Sequence, residues 1–205
     1  MRTLLVWLVP LSLLGQFHRA EQDREISYWL LDPATHQFRI SHDFTVSRPG
    51  QKYVHSFVRK GSVVAPDSKI YDLDTGEQLK TSVVKGREVN ALDYYPRATD
   101  PDSVVVQGEL QKAVQEGESA RVRVEETYTD PVGYTIKDGE LVWQRTLGRP
   151  FNRVTLPPGW MLSSVDSPAI ITVDAEGRVM LRLTNPRNDE LAVTIKATRR
   201  RSPAR

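Results

Sequence analysis

His36-Gln-Phe-Arg-Ile-Ser-His-Asp-Phe-Thr-Val46 alternates strictly. Phe38, Ile40, His42, Phe44 and Val46 share one parity with His36, and Gln37, Arg39, Ser41, Asp43 and Thr45 share the other. Successive side chains on a strand point to opposite faces, so this period of two specifies a half-buried antiparallel strand. Ser47-Arg-Pro-Gly50 then supplies a turn, and Tyr53 to Val58 is predicted as the returning partner. Upstream, Ile26 to Leu31 is a second apolar-aromatic run, closed by Asp32-Pro33.

The same grammar recurs along the chain. Asp72-Leu-Asp-Thr-Gly-Glu77 lies between Lys69-Ile-Tyr71 and Gln78-Leu-Lys80, where the Asp side chains can cap a turn and Gly76 can take a positive φ. Val83-Val84 and Val89 to Tyr94 are predicted as short strands. Tyr134 to Lys137 and Glu140 to Trp143 flank Asp138-Gly139, the dipeptide that suits a two-residue type I′ hairpin. A further hairpin is predicted to bend at Asp174–Gly177, between Ile170–Val173 and Val179–Leu183, and Leu191, Val193 and Ile195 make a closing strand. Ser103 to Glu116 admits helix or strand, and its valines favour strand.

Short strands with turns every ~8–12 residues specify an all-β protein of antiparallel β-sandwich lobes. Two lobes are expected, 21–97 and 98–198, because Pro96-Arg-Ala-Thr-Asp-Pro-Asp-Ser103 is the most linker-like stretch in the chain. Residues 199–205 carry Arg199, Arg200, Arg201 and Arg205 and are expected to form a basic, disordered tail.

The first twenty residues form an address. Arg2 precedes the uncharged run Leu4–Leu14, which has signal-peptide length and is too short to span a ~30 Å bilayer. A cleavable leader over 1–20 is therefore expected, and with it a periplasmic or secreted protein whose mature chain has no membrane span. Without residues 1–20 the basic and acidic residues balance at 26 each, and without the four tail arginines the remainder carries −4. That balance gives no electrostatic footprint for nucleic acid. The chain has no cysteine, which excludes disulfides, thiolate nucleophiles and thiolate metal sites.

Catalytic patterns are sparse. His36 and His42 share a strand face but stand ~20 Å apart, beyond the reach of a single ion. His42 and His55 would oppose each other only if their two strands formed a hairpin, and Asp43 points away from His42. Asp72-x-Asp74-x-Gly76 opens like a calcium loop, yet Val83 stands where the twelfth-position acid belongs. Glu125 and Glu126 are adjacent on a predicted strand and so face opposite sides, and do not form a glycosidase-type dyad unaided. No catalytic residue, metal ligand or cofactor is assigned.

The aromatic residues are the remaining candidates. Tyr28-Trp29 and Tyr94-Tyr95 are neighbours on predicted strands, so one of each pair looks outward, where a ring can stack on a sugar or anchor a protein. Trp29, Tyr95, Trp143 and Trp160 are the candidate ligand-binding residues. Arg145, Arg149 and Arg153 bracket Leu147-Gly148 and Pro150-Phe151 and are expected to be solvated cations.

Ile26-Ser-Tyr-Trp-Leu-Leu-Asp-Pro-Ala-Thr-His-Gln-Phe-Arg-Ile40 resembles the first strands of the N-terminal β-sandwich domain of M61-type secreted aminopeptidases, and Asp72 to Leu79 is similar to a hairpin of that domain. The resemblance covers residues 26–80, and neither the catalytic domain nor its HExxH occurs in the chain. It implies a non-catalytic accessory sandwich. The expectation is thus an exported binding or scaffolding protein with a protein or glycan partner. A glycan-active hydrolase or an inactivated peptidase relative is the alternative.

Overall fold

A computed structural model describes residues 25–91, 99–187 and 189–200. The predicted leader, Tyr94 and Tyr95, the 97/98 boundary and residues 201–205 lie outside the described residues. The fold is all-β. Its strands are β1 (Glu25–Leu30), β2 (Gln37–Val46), β3 (Tyr53–Phe57), β4 (Val63–Val64), β5 (Lys69–Asp72), β6 (Lys80–Lys85), β7 (Val104–Glu109) and β8 (Ala120–Thr129). They continue with β9 (Tyr134–Lys137), β10 (Glu140–Leu147), β11 (Phe151–Thr155), β12 (Trp160–Val165), β13 (Ile170–Val173), β14 (Val179–Thr184) and β15 (Leu191–Arg199). Among the described residues no helix is long and apolar enough to cross a membrane.

The long sheet runs β13-β14-β11-β1-β2-β8-β4, with β5 also paired to β8. Two smaller sheets, β12-β15-β10-β9 and β3-β7-β6, complete the fold. The pairing is antiparallel except for β1 with β11, which is parallel from Glu25↔Phe151 to Trp29↔Thr155.

The β2–β8 pair organises everything else. It is continuous over ten residues, from Gln37↔Thr129 to Val46↔Ala120. Its inner parity serves two cores in succession. Phe38, Ile40 and Tyr128 join the core roofed by the four-stranded sheet, with Tyr134, Leu141, Trp143 and Ile195 fully buried. Val46, Val122 and Val124 join the core roofed by the three-stranded sheet, with Val54, Val106 and Leu110. Val58 and Val64 pack against both clusters. Full burial of each large apolar side chain contributes ~1.5–3 kcal/mol.

The predicted alternation is present, with Phe38, Ile40, His42 and Val46 buried, although Phe44 on the same parity is only half-buried. His36 itself takes a left-handed φ of 56° at the end of a 3-10 turn, Pro33–Thr35, and donates from Nδ1 to the Tyr134 carbonyl at 2.7 Å.

One predicted pairing and one predicted strand are corrected. The strand at Tyr53 does not return along β2, because β1 and β8 already occupy both edges of β2; β3 pairs instead with β7. Val89 is not in a strand but in a short helix, α1 (Gly86–Asn90), where Glu88 Oε2 accepts from the Lys85 amide at 3.0 Å and Val89 is fully buried. The Asp138-Gly139 hairpin has φ of 51° and 80° and pairs Glu140 with Lys137, the type I′ geometry. Ser103–Glu116 resolves as the strand β7, followed by irregular chain. The closing strand reaches Arg199, and the Arg200 amide still bonds to the Gly159 carbonyl, so order extends into the expected tail. Strand pairing joins residues on both sides of 97/98, since β7 and β8 both pair with strands of the first half.

Candidate binding face

The outer parity of the long sheet is where the sequence places polar side chains, and the register aligns them in rows. One row runs Met180, Thr155, Trp29, Arg39 and Thr127 across β14, β11, β1, β2 and β8. The next runs Arg182, Arg153, Ser27, Ser41, Glu125 and Lys69. Directly opposed side chains in such rows have Cβ atoms ~4.5–5.5 Å apart, and diagonal neighbours lie ~7–8 Å apart.

A groove of about 300 Å³ lies on this face. Trp29, Arg39, Asp67, Lys69, Glu125 and Thr127 are among its lining residues. Trp29 is half-buried at one end, while Arg39, Asp67 and Lys69 are exposed. Among the described residues the side chains of Arg39, Asp67, Lys69 and Glu125 make no ion pair or hydrogen bond. Elsewhere on the face some charges are matched: Arg123 grips Asp43 with two bonds of 2.7 Å, and Arg153 meets Glu25 at 3.1 Å. The groove therefore combines an aromatic plane, unspent guanidinium and ammonium donors, and unspent carboxylate acceptors.

The inner face holds a polar seam where the two cores meet. Glu126 is 3% exposed; its Oε2 accepts from Ser56 Oγ at 3.1 Å and its Oε1 has no hydrogen-bond partner. Loss of hydration raises its pKa to about 7, only partly offset by the Ser56 and Tyr128 hydroxyls. Burial likewise raises Tyr128, further helped by the Glu126 charge. Arg145, with its side chain 8% exposed, stands 4.9 Å from the Phe38 ring centroid and 5.6 Å from those of Tyr28 and Tyr128, and pairs with Asp130 at 3.4 Å. Cation–π attraction of this kind, with the ion pair, compensates a buried guanidinium. Arg149 Nε donates to His42 Nε2 at 2.9 Å, which makes that imidazole nitrogen an acceptor.

Of the candidate aromatics, Trp29 alone among the described ones faces outward; Tyr28 beside it is 4% exposed. Trp143 is fully buried, edge-on to Tyr28 and Phe38 at 5.2 and 6.3 Å, so its ring packs the core and leaves no face for a ligand. Trp160 is 4% exposed and lies under the Arg199 guanidinium at 5.3 Å, a packing role as well. Tyr95 lies outside the described residues. Contrary to expectation, Arg145 points into the seam and is not solvated, and Arg149 is half-buried with its Nε held by His42.

His42 and His55 stand on strands of different sheets, and His55 Nε2 bonds to the Gln107 side chain at 3.0 Å. Burial lowers the His55 pKa. Among the described residues no three His, Asp or Glu side chains gather as a metal site. Asp72 caps its own turn, with Oδ1 accepting from the amides of Asp74 and Thr75 at 2.8 and 3.1 Å, and Asp74 Oδ2 accepts from the Arg121 amide at 3.1 Å.

No protein-family model matches the chain, and no curated protein matches it. Among solved structures, an M1 zinc metallopeptidase from Deinococcus radiodurans is similar over 85% of this chain and 41% of its own, at 13% identity and a TM-score of 0.46. An aminopeptidase N family protein from Idiomarina loihiensis is similar over 84% of this chain and 29% of its own, at 8% identity and a TM-score of 0.46. The chain spans less than half the length of either structure.

Proposed function

We propose that this chain is a non-catalytic binding module acting outside the cytoplasm, and that the groove beside Trp29 is where it takes a sugar. The observation that carries the reading is the composition of the groove. A half-buried tryptophan stands directly opposite an unpaired arginine, within a small depression that also holds unpaired carboxylates and the hydroxyl-bearing Ser41 and Thr127. Sugar rings need this combination: an aromatic plane for their C–H faces, with donors and acceptors for vicinal hydroxyls. A stable protein interface would instead need ~800 Å² per partner around apolar anchors, and the cross-strand neighbours of Trp29 are the polar Thr155 and Arg39. The hydrolase alternative has less support, because Glu125 is on the outer face and Glu126 on the inner one. Location outside the cytoplasm rests on Arg2 and the Leu4–Leu14 run.

Calorimetric titration of the full chain against neutral and acidic oligosaccharides tests this. Binding is expected with at least one of them, and Trp29→Ala should weaken it ~10-fold or more, the ~1.4 kcal/mol scale of one stacked ring, at an unchanged melting temperature. Undiminished binding by Trp29→Ala, or no binding across the panel, would discard the groove. Release of reducing ends during the titration would discard the non-catalytic assignment.

A further inference from the structure

Resting on that sugar-binding reading, we infer that the ligand is acidic: a saccharide whose carboxylate is held at the arginines that flank the Trp29 ring. Two independent features of the outer face point there. The first is Arg39, directly across from Trp29 in the β1–β2 register, exposed and without an ion-pair or hydrogen-bond partner among the described residues. A guanidinium beside an aromatic ring presents two parallel donors to an oxygen pair while the ring supports the sugar plane.

The second feature lies on the opposite flank. Arg153 and Arg182 are paired directly across β11 and β14, both on the outer face. Like charges so opposed destabilise a sheet. Glu25 answers Arg153 at 3.1 Å, but Arg182 is exposed and has no ion-pair partner among the described residues. Arg153 is also the diagonal neighbour of Trp29, one strand across and one row along. Cations therefore stand on both sides of the ring.

The acids of the groove sit at its other end. Glu125 and Asp67 are on the far side of Arg39 from Trp29, next to Lys69. This polarity orients a ligand. The acidic ring lies on Trp29 with its carboxylate toward Arg39, since Glu25 already answers Arg153, and the hydroxyls of the next unit reach Glu125 and Asp67. Neutral sugars would leave Arg39 and Arg182 uncompensated.

The test uses trimers of galacturonate, glucuronate and mannuronate, each beside its methyl ester, which keeps the ring and removes the charge. The full chain is titrated at low and at physiological salt. At least one acid is expected to bind ~10-fold or more tighter than its ester, with the difference shrinking as salt screens it. Arg39→Gln should bring the acid toward the affinity of the ester, with the melting temperature confirming that the variant folds. Esters that bind as tightly as the acids in a Trp29-dependent way would overturn the acidic preference and leave the sugar-binding reading standing. A panel in which no saccharide, charged or neutral, shows Trp29-dependent binding would remove both.

Discussion

Glu126→Gln removes an ionisable group from the seam between the two cores while keeping its shape and an acceptor for Ser56. In the wild-type chain the folded carboxyl titrates at about 7 against an ordinary 4.5. The native state therefore holds its proton through a window in which the unfolded chain has already released it. Stability from this group is complete below pH ~4.5, falls as pH rises, and is fully lost once pH passes 7. At ~1.36 kcal/mol per unit, the 2.5-unit gap amounts to about 3 kcal/mol. The burial of Glu126 at 3% exposure, with Oε1 unpartnered, is the physical source of that gap. Urea unfolding followed by tryptophan fluorescence at pH 4.5, 6, 7 and 8 gives the free energy at each pH for both chains. Subtracting the Gln variant cancels the other titrating groups they share. The difference should slope by about 3 kcal/mol across the window, favouring wild type at the acid end. Parallel profiles would refute the assignment of a buried, proton-retaining Glu126.

Gly139→Val should lower stability by ~1–3 kcal/mol, the scale of a β-branched residue held at positive φ; since nothing lies within 4 Å of a Cβ there, a thermal melt would report backbone strain alone. Gly133→Ala puts a methyl 2.7 Å from Asp130 Oδ2 and 2.9 Å from the Gln144 carbonyl, and should cost ~1–3 kcal/mol by melting. Gly148→Ala, whose nearest atom is 3.7 Å away, is the matched control and should be close to neutral. His42→Phe deletes the acceptor for Arg149 Nε and should cost up to ~1.5 kcal/mol, with a melting temperature indifferent to EDTA in both chains; a chelator shift abolished by the substitution would mark His42 as a metal ligand.

Local pattern carried the strands well and their partners poorly. The alternation around Phe38–Val46 and the Asp138-Gly139 turn are properties of a few consecutive residues, so the inner face of β2 and the β9–β10 hairpin could be read directly. The partner of Tyr53–Phe57 depends on which edges of β2 are already taken, and the strand that takes one of them begins at Ala120, far along the chain. That one member of the Tyr28-Trp29 pair faces outward was legible. The unpaired state of Arg39 was not, because it requires the register of three strands. Glu126 and Arg145 left a usable signal: each shares the parity of buried neighbours, Val122, Val124 and Tyr128 for one, Leu141, Trp143 and Leu147 for the other. A charged residue at a core parity is a cue for a buried polar contact, although its partners Ser56 and Asp130 come from elsewhere in the chain.

The β2–β8 ladder closes at Val46 opposite Ala120, which makes residues 47–119 an excursion that leaves and returns through the same doorway. Topologically the two long strands are a hairpin whose turn has been replaced by a passenger of more than seventy residues. Zipping that hairpin requires closing a very long loop, an entropic cost that grows only logarithmically with length but must be met before the ladder forms. Contacts of such separation make folding slow. Assembly is then favoured when the passenger collapses first, since β3, β6 and β7 pair among themselves and shorten the effective loop. The second core can thus act as a clasp that draws the two ends of the first together during folding.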